Sequence, residues 1–432
     1  MGEIRNKADE FDALISAEKL EKYTYTLSQS EKQEFNLEDG DFKLMRTVFG
    51  NNASITVYKG AKKGAASGND ISEEGLKKII AEGIAAAESS PEDPCYDFAP
   101  DQGKDVFKQG ALEPDMEKFI ERTKEFTETV SKEYPLVKLM AVIASYDRWN
   151  WISRNTNGTE FEGFGGQYHF SVELSASDGE NSTGLDYTGF SMKDLDTPFI
   201  DKGDMRMVLD HIQKSIKPES LTGKFEGTLV LTPSSTAGFI SMTLGNYAGS
   251  SVVMDGTSLW LDKVGEKVAS DKLTVSLKPS DERITLGECA TQDGFRAEDV
   301  TIIDGGVLKM HMLDLYSANK TGRPIMKNTG FDLVVEPGDT SFEDMIASVE
   351  KGLLLGGFSG GQPGTNGEFS GVAKNSFLIE NGKITKAVTE TMINGNLGEA
   401  VKNVRSISKE LICDGSSVVP YMAVDGIIIS GK

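Results

Sequence analysis

Leu229-Val230-Leu231-Thr232-Pro233-Ser234-Ser235-Thr236-Ala237 reads as a short apolar strand running into the start of a helix. A proline in the first turn of a helix is tolerated, because its missing N–H would have no partner there anyway. The small residues that follow predict a helix from Ser235 to about Asn246. The stretch stands near the start of a strand-rich second half, which we place from 221 to 432, after a mixed first half, 1–220.

Outward from this point, turn chemistry marks the other elements. Ile303-Asp304-Gly305-Gly306-Val307 and Ile379-Glu380-Asn381-Gly382-Lys383-Ile384 carry tight-hairpin signatures. Ser341 and Asp344 have capping-box spacing and predict a helix through Leu354. The run Gly356 to Gly364 then reads as a long flexible turn. In the first half a short amphipathic helix is expected over about 7–20. Asp39-Gly40 joins Phe35-x-Leu37 to Phe42-x-Leu44 as a hairpin. A second hairpin leads from Ser54–Tyr58 through Lys59-Gly60 to Gly64–Ser67. Asp70 or Ser72 caps a helix to about Glu88 with Leu76, Ile79, Ile80, Ile84 and Ala87 on one face. Pro114 opens another, strands follow over about 136–190, and Asp204 to Lys217 is helical. The class is α+β, with an antiparallel, β-rich second domain.

Composition narrows the function. Among 432 residues, 45 Lys and Arg stand against 67 Asp and Glu, a net charge of −22. Such a chain repels phosphate backbones, so nucleic acid is not an expected partner. No apolar stretch approaches the ~20 residues that span a bilayer, and no signal-peptide core follows Met1. Cys95, Cys289 and Cys413 are sparse and odd in number, which fits a reducing cytoplasm better than a disulfide framework.

Catalytic chemistry is hard to place. His169, His211 and His311 are far apart, and none has a second ligand at helical spacing. Each falls on the polar side of its element, which predicts three solvated rings. There is no Cys-x-x-Cys pair and no Gly-x-Ser-x-Gly elbow. The glycine-rich run lacks the Gly-Lys-Ser/Thr ending of a phosphate loop. Cys413 is expected to be a small buried residue rather than a nucleophile. No metal and no cofactor are expected.

Several segments together resemble the TldD/PmbA family, also described as "modulator of DNA gyrase". In the first half these are Ile55-Thr56-Val57-Tyr58, Gly64-Ala65-Ala66-Ser67, Asp70-Ile71-Ser72-Glu73 and Pro91-Glu92-Asp93-Pro94-Cys95. In the second they are Ala248–Val252, Ser317-Ala318-Asn319-Lys320, Gly367–Gly371, Phe377–Ile384 and Asn394–Leu397. The resemblance implies a mixed N-terminal domain and a β-rich C-terminal one. It also implies two branches. TldD-type members carry a His-Glu-x-x-x-His helix and a later Cys for zinc, with the Glu as general base. PmbA (TldE) members lack that motif and pair with a TldD subunit. Here the motif positions fall on Thr232, Pro233 and Ala237, none of which binds zinc well. Cys413 lies near the region of the third ligand and cannot hold a metal alone.

The resemblance thus implies a non-catalytic partner of a TldD-type cytoplasmic peptidase, with Ser234, Ser235 and Cys413 at a peptide cleft or partner contact. Two other readings stay open. One is a stand-alone homodimer that binds peptides or proteins. The other is an independent hydrolase with a rebuilt site around Cys413.

Overall fold

The computed structural model describes residues 2–38 and 41–432. Its first sheet has seven strands: β1 (Lys22–Glu38), β2 (Asp41–Lys59), β3 (Lys62–Gly68), β4 (Lys104–Gly110), β5 (Val137–Asn155), β6 (Glu160–Ala176) and β7 (Asp186–Met192). The order is β3-β2-β1-β5-β6-β4, and β7 also pairs with β6. The Asp39-Gly40 turn lies outside the described residues. The strands around it pair antiparallel from Lys22↔Tyr58 out to Glu38↔Asp41, a far longer hairpin than the short runs suggest. The second hairpin turns at Gly60, whose φ of +59° suits a residue without a Cβ.

One face of this sheet carries all four long helices of the first half. On β1 the buried Tyr25, Leu27 and Phe35 share a parity and therefore a face. Near one end of the long strands they meet helices Gly2–Ala17 and Glu73–Ser89 through Phe11, Ile15, Leu76 and Ile79. Near the other end, Phe119 and Phe126 of Met116–Glu133 and Leu209 and Ile212 of Met205–Lys214 pack on Phe35, Tyr168 and Phe170. Ser72 caps Glu73–Ser89, accepting from the Gly75 N–H at 3.2 Å. The first helix begins at Gly2 rather than near 7, because Ile4 and Ala8 extend its buried stripe.

The second sheet has fourteen strands, drawn from residues 219–430. Its longest strand, Ser417–Ser430, pairs antiparallel with Lys224–Leu231, Val404–Cys413 and Met392–Asn396, and parallel with Leu333–Val335. Lys224–Leu231 also pairs in parallel with Lys351–Leu355. The helix Pro233–Tyr247 buries Phe239, Ile240, Leu244 and Tyr247 against this sheet. The α+β class and the antiparallel character hold, with parallel pairs inserted.

Two local expectations fail here. The helix that Ser341 caps ends at Ala347, and Lys351–Leu355 is a strand. Its apolar run is buried on both faces, which suits a strand inside a sheet as well as a helix stripe. Likewise the glycine-rich run contains a strand, Gly357–Gly360, paired with Glu368–Lys374. Ring packing explains the glycines there. A Cβ at Gly360 or Gly371 would run into the ring of Phe358. Among the described residues, no helix is long and apolar enough to cross a membrane.

The sheets meet through specific bonds. The Ser191 N–H donates to Asp414 O at 2.8 Å, and the Thr285 hydroxyl to Ser191 O at 3.1 Å. The Ala99 N–H donates to Asp293 O at 2.7 Å. A cavity lies beside the first of these junctions.

Candidate functional site

The cavity has a volume of about 850 Å³ and lies between the two sheets. One wall is the beginning of the helix Pro233–Tyr247, presenting Ser234, Ser235, Gly238 and Met242. The opposite wall is Leu185 and β7 from Asp186 to Gly189, with Asp204 at the N-cap of the helix Met205–Lys214 and Met207 and His211 within it. Gly356, Gly357 and Phe358 line it from the second sheet, and Ile412 and Asp414 close the side where the sheets are bonded together.

Local chemistry explains how the helix is held. Thr232 is its N-cap residue and is 0% exposed. Its backbone N–H donates to Leu355 O, and its carbonyl accepts from the Thr236 N–H at 2.7 Å. Its hydroxyl is spent on Ser235 Oγ at 3.2 Å rather than on capping. The helix therefore starts two residues earlier than the small-residue pattern suggests, with Pro233 in its first turn. The N–H groups of Ser234 and Ser235 have no acceptor within the helix, as for any first turn.

The structure separates the residues singled out from sequence. Pro233, Ser234 and Ser235 line the cavity. Ala237 packs against the core of the second sheet instead. Cys413 pairs with Val418 in a hairpin, and only its neighbours Ile412 and Asp414 reach the cavity. The thiol points the other way, to Arg283 O at 3.1 Å, beside Ile284 and Val334. Burial pushes the Cys413 thiol up, and the Cys289 thiol up to about 11, so neither is a ready thiolate.

The histidines are not the solvated rings their polar-face positions suggest. His311 is 4% exposed, with Nε2 3.0 Å from Trp260 O. His169 is half-buried on β6, its Nδ1 3.4 Å from Ser191 Oγ. His211 lines the cavity, its ring 4.8 Å from that of Phe377, and burial lowers its pKa to about 4. Alternation and helical spacing place a residue opposite the local core. For His211 they do not reveal that Phe377 of the second sheet covers that side.

The cavity is weighted toward negative charge. Burial raises the carboxyl pKa of Asp204, and Asp414 nearby raises it further. Burial likewise raises that of Asp186, with Asp204 adding to it. The Thr188 hydroxyl donates to Asp204 Oδ1. Among the described residues, neither Asp186 nor Asp204 has an ion-pair partner, and Lys374 is the one Lys or Arg on the cavity wall. Asp204 and His211 are seven residues apart with Val208 between, which is one helix face. That spacing was the signal available in the sequence.

Among the described residues, no three His, Cys, Asp or Glu side chains are grouped to hold a metal ion. The zinc implied by a TldD-like helix does not fit here: Thr232 is buried and bonded, Pro233 has no donor, and Ala237 faces the core. Among the described residues no hydroxyl or thiol on the cavity wall is hydrogen-bonded to His211, whose ring packs on Phe377, and the Cys413 thiol points away. What remains is a cleft with a helix start on one wall and carboxylates on the other.

Comparison with known proteins gives this cleft a context. The family model "PmbA/TldA metallopeptidase C-terminal domain" matches residues 222–431, and "PmbA/TldA metallopeptidase domain 1" matches 27–87. The chain is 24% identical over 448 aligned positions to "Metalloprotease MJ0996" of Methanocaldococcus jannaschii, covering 96% of each. It is 25% identical over 406 positions to "Metalloprotease PmbA" of Escherichia coli O157:H7, covering 86% of this chain and 85% of the relative. Its fold superposes on the crystal structure of TldE from Thermococcus kodakarensis with a TM-score of 0.84 at 20% identity, over 97% and 99% of the two chains. The matches take in β1 to β3 with their helix and almost the whole second half, and the chain belongs to the PmbA/TldD metallopeptidase family.

Proposed function

We propose that this chain is a PmbA/TldE-like, non-catalytic subunit that pairs with a TldD-type zinc peptidase and takes part in the handling of its peptides. The observation that carries the reading is the helix after Leu229-Val230-Leu231. The helix forms over Pro233–Tyr247, and the family resemblance sets Thr232, Pro233 and Ala237 at the positions of the ligands and base. A helix that keeps its position without its donors fits a role in shaping a cleft better than one in chemistry. Serving a cytoplasmic peptidase agrees with the sparse cysteines.

Two measurements test this. Metal analysis of the purified chain should find no stoichiometric zinc. Co-purification with the TldD-type subunit of the same genome should yield a complex whose peptidase rate differs from that of the zinc subunit alone. Stoichiometric zinc in this chain, or no complex together with an unchanged rate, would remove the proposal.

A second reading, a self-associating binding protein, draws on β2. Its Asp41–Phe49 half is exposed, with Phe49 74% and Met45 69% accessible, and β3 pairs only from Ala53 onward. Such an edge is normally covered in a working protein. Sedimentation of the chain alone and with its partner separates the readings: a dimer that persists in the partner's presence favours self-association.

A further inference from the structure

We infer that the cleft takes an extended polypeptide along the open edge of β7, with a Lys or Arg side chain of that polypeptide lodged between Asp186 and Asp204. This rests on the peptide-handling role proposed above and adds a docking edge and a side-chain preference.

The edge follows from register. β7 pairs with β6 on one side, from Asp186↔Leu174 to Met192↔Tyr168. On the other side, the Ser191 N–H leaves the sheet and donates to Asp414 O. Backbone direction alternates along a strand, so Gly189 and Tyr187 point the same way as Ser191. Beyond the Asp414 contact, the Gly189 N–H and C=O and the Tyr187 C=O have no acceptor or donor among the described residues. These groups border the cavity, since Leu185 to Gly189 all line it. An unpaired edge beside a cleft accepts another strand, with main-chain bonds giving affinity and alternate side chains giving preference.

The surroundings suit a peptide rather than a small anion. Tyr187 is 83% exposed and Leu185 61%, which leaves apolar surface free on the edge itself. Across the cavity, Phe358 belongs to a strand paired on one side only, with Glu368–Lys374.

Charge sets the preference. Asp186 and Asp204 stand on the β7 wall with no cation paired to either among the described residues; the Tyr187 N–H donates to Asp186 Oδ1 and the Thr188 hydroxyl to Asp204 Oδ1, neutral donors that leave both charges uncompensated, as do the N–H groups of Ser416 and Ser417 at Asp414. A guanidinium or ammonium entering here gains a charge-assisted bond and relieves two carboxylates of a dry, like-charged site. An acidic side chain meets only repulsion.

The test uses fluorescence anisotropy on the isolated wild-type chain. The probes are short labelled peptides of alternating Val and Thr with one central Lys, and the same peptides with Glu in its place. Two further Lys probes carry N-methyl groups on one or the other set of alternate amides. The Lys probe should bind about tenfold more tightly than the Glu probe, one charge-assisted bond's worth. One methylated set should abolish binding while the other retains it, since only one set faces the β7 edge. Asp186→Asn and Asp204→Asn, close in shape to the originals, should each shrink the Lys-to-Glu ratio. Equal binding of the two probes, equal effects of the two methylated sets, or no binding of the Lys probe overturns the inference. A chain that forms the zinc-subunit complex yet fails these probes would keep the subunit role and lose this site.

Discussion

The hydroxyl of Tyr316 donates to Asp93 Oδ2 at 2.8 Å, and the Lys320 ammonium lies 2.7 Å from the same oxygen. Beside them Asn319 Nδ2 donates to Cys95 O at 3.0 Å. Two segments more than two hundred positions apart, Pro91–Cys95 and Tyr316–Lys320, thus form one joint between the halves of the chain.

That joint should be acid-labile. The Lys320 ammonium and the hydrogen bonds to Asp93 hold its carboxyl down from 3.8 to about 2. A carboxylate with a depressed folded pKa contributes stability that is complete above the unfolded value and lost as pH falls through the folded one. Asp93→Asn should therefore lower the thermal midpoint at neutral pH, and its difference from wild type should shrink between pH 3.8 and about 2. A constant difference across that window would deny Asp93 this role.

Gly367→Ala should destabilise the second half. Gly367 has a φ of +86°, and a Cβ there would overlap the Tyr247 hydroxyl. A non-glycine residue in that region costs about 1–3 kcal/mol before any clash is counted. Urea titration of the variant should show a lower midpoint. Tyr247→Phe in the same chain should recover part of the loss, because it removes the overlapping atom.

His211 should make folding weaken on mild acidification. Its pKa falls from 6.5 to about 4 through burial, so the unfolded chain takes up the proton first. Stability then drops with falling pH between those values, by at most about 1.4 kcal/mol per pH unit for one proton. The raised carboxyls of Asp186 and Asp204 act in the opposite sense, gaining protons earlier in the folded state. The difference between wild type and His211→Gln isolates the histidine. A pH-independent difference would mean the ring is not held neutral.

The half-buried thiols of Cys289 and Cys413 should react slowly. Cys289 and Cys413 both have raised pKa values from burial. Iodoacetamide labelling at neutral pH, followed by mass spectrometry, should modify both more slowly in the folded chain than in urea. In the proposed complex with a TldD-type subunit, Cys413→Ala should leave the peptidase rate unchanged, since the thiol faces Arg283 rather than the cleft.

Sequence by itself determined the elements with strong local signals and the chemistry that is missing. Ser72 capped its helix, Gly60 and Gly382 marked real hairpins, and the apolar triplet ending at Leu231 led into a helix. Thr232, Pro233 and Ala237 are poor metal donors in any fold, because donor chemistry belongs to the side chain itself. Tertiary structure alone decided where lines of equal local pattern went. Lys351–Leu355 became a strand since its apolar run is covered on both faces, a fact about neighbours and not about spacing. His211 was covered for a related reason: the polar side of its helix meets Phe377 at the junction of the two sheets. The cleft itself, which sets Asp186 and Asp204 opposite Ser234 and Ser235, has no signature along the chain beyond the shared helix face of Asp204 and His211. Its walls come from two sheets, and only their packing brings the open edge of β7 beside the start of the helix Pro233–Tyr247.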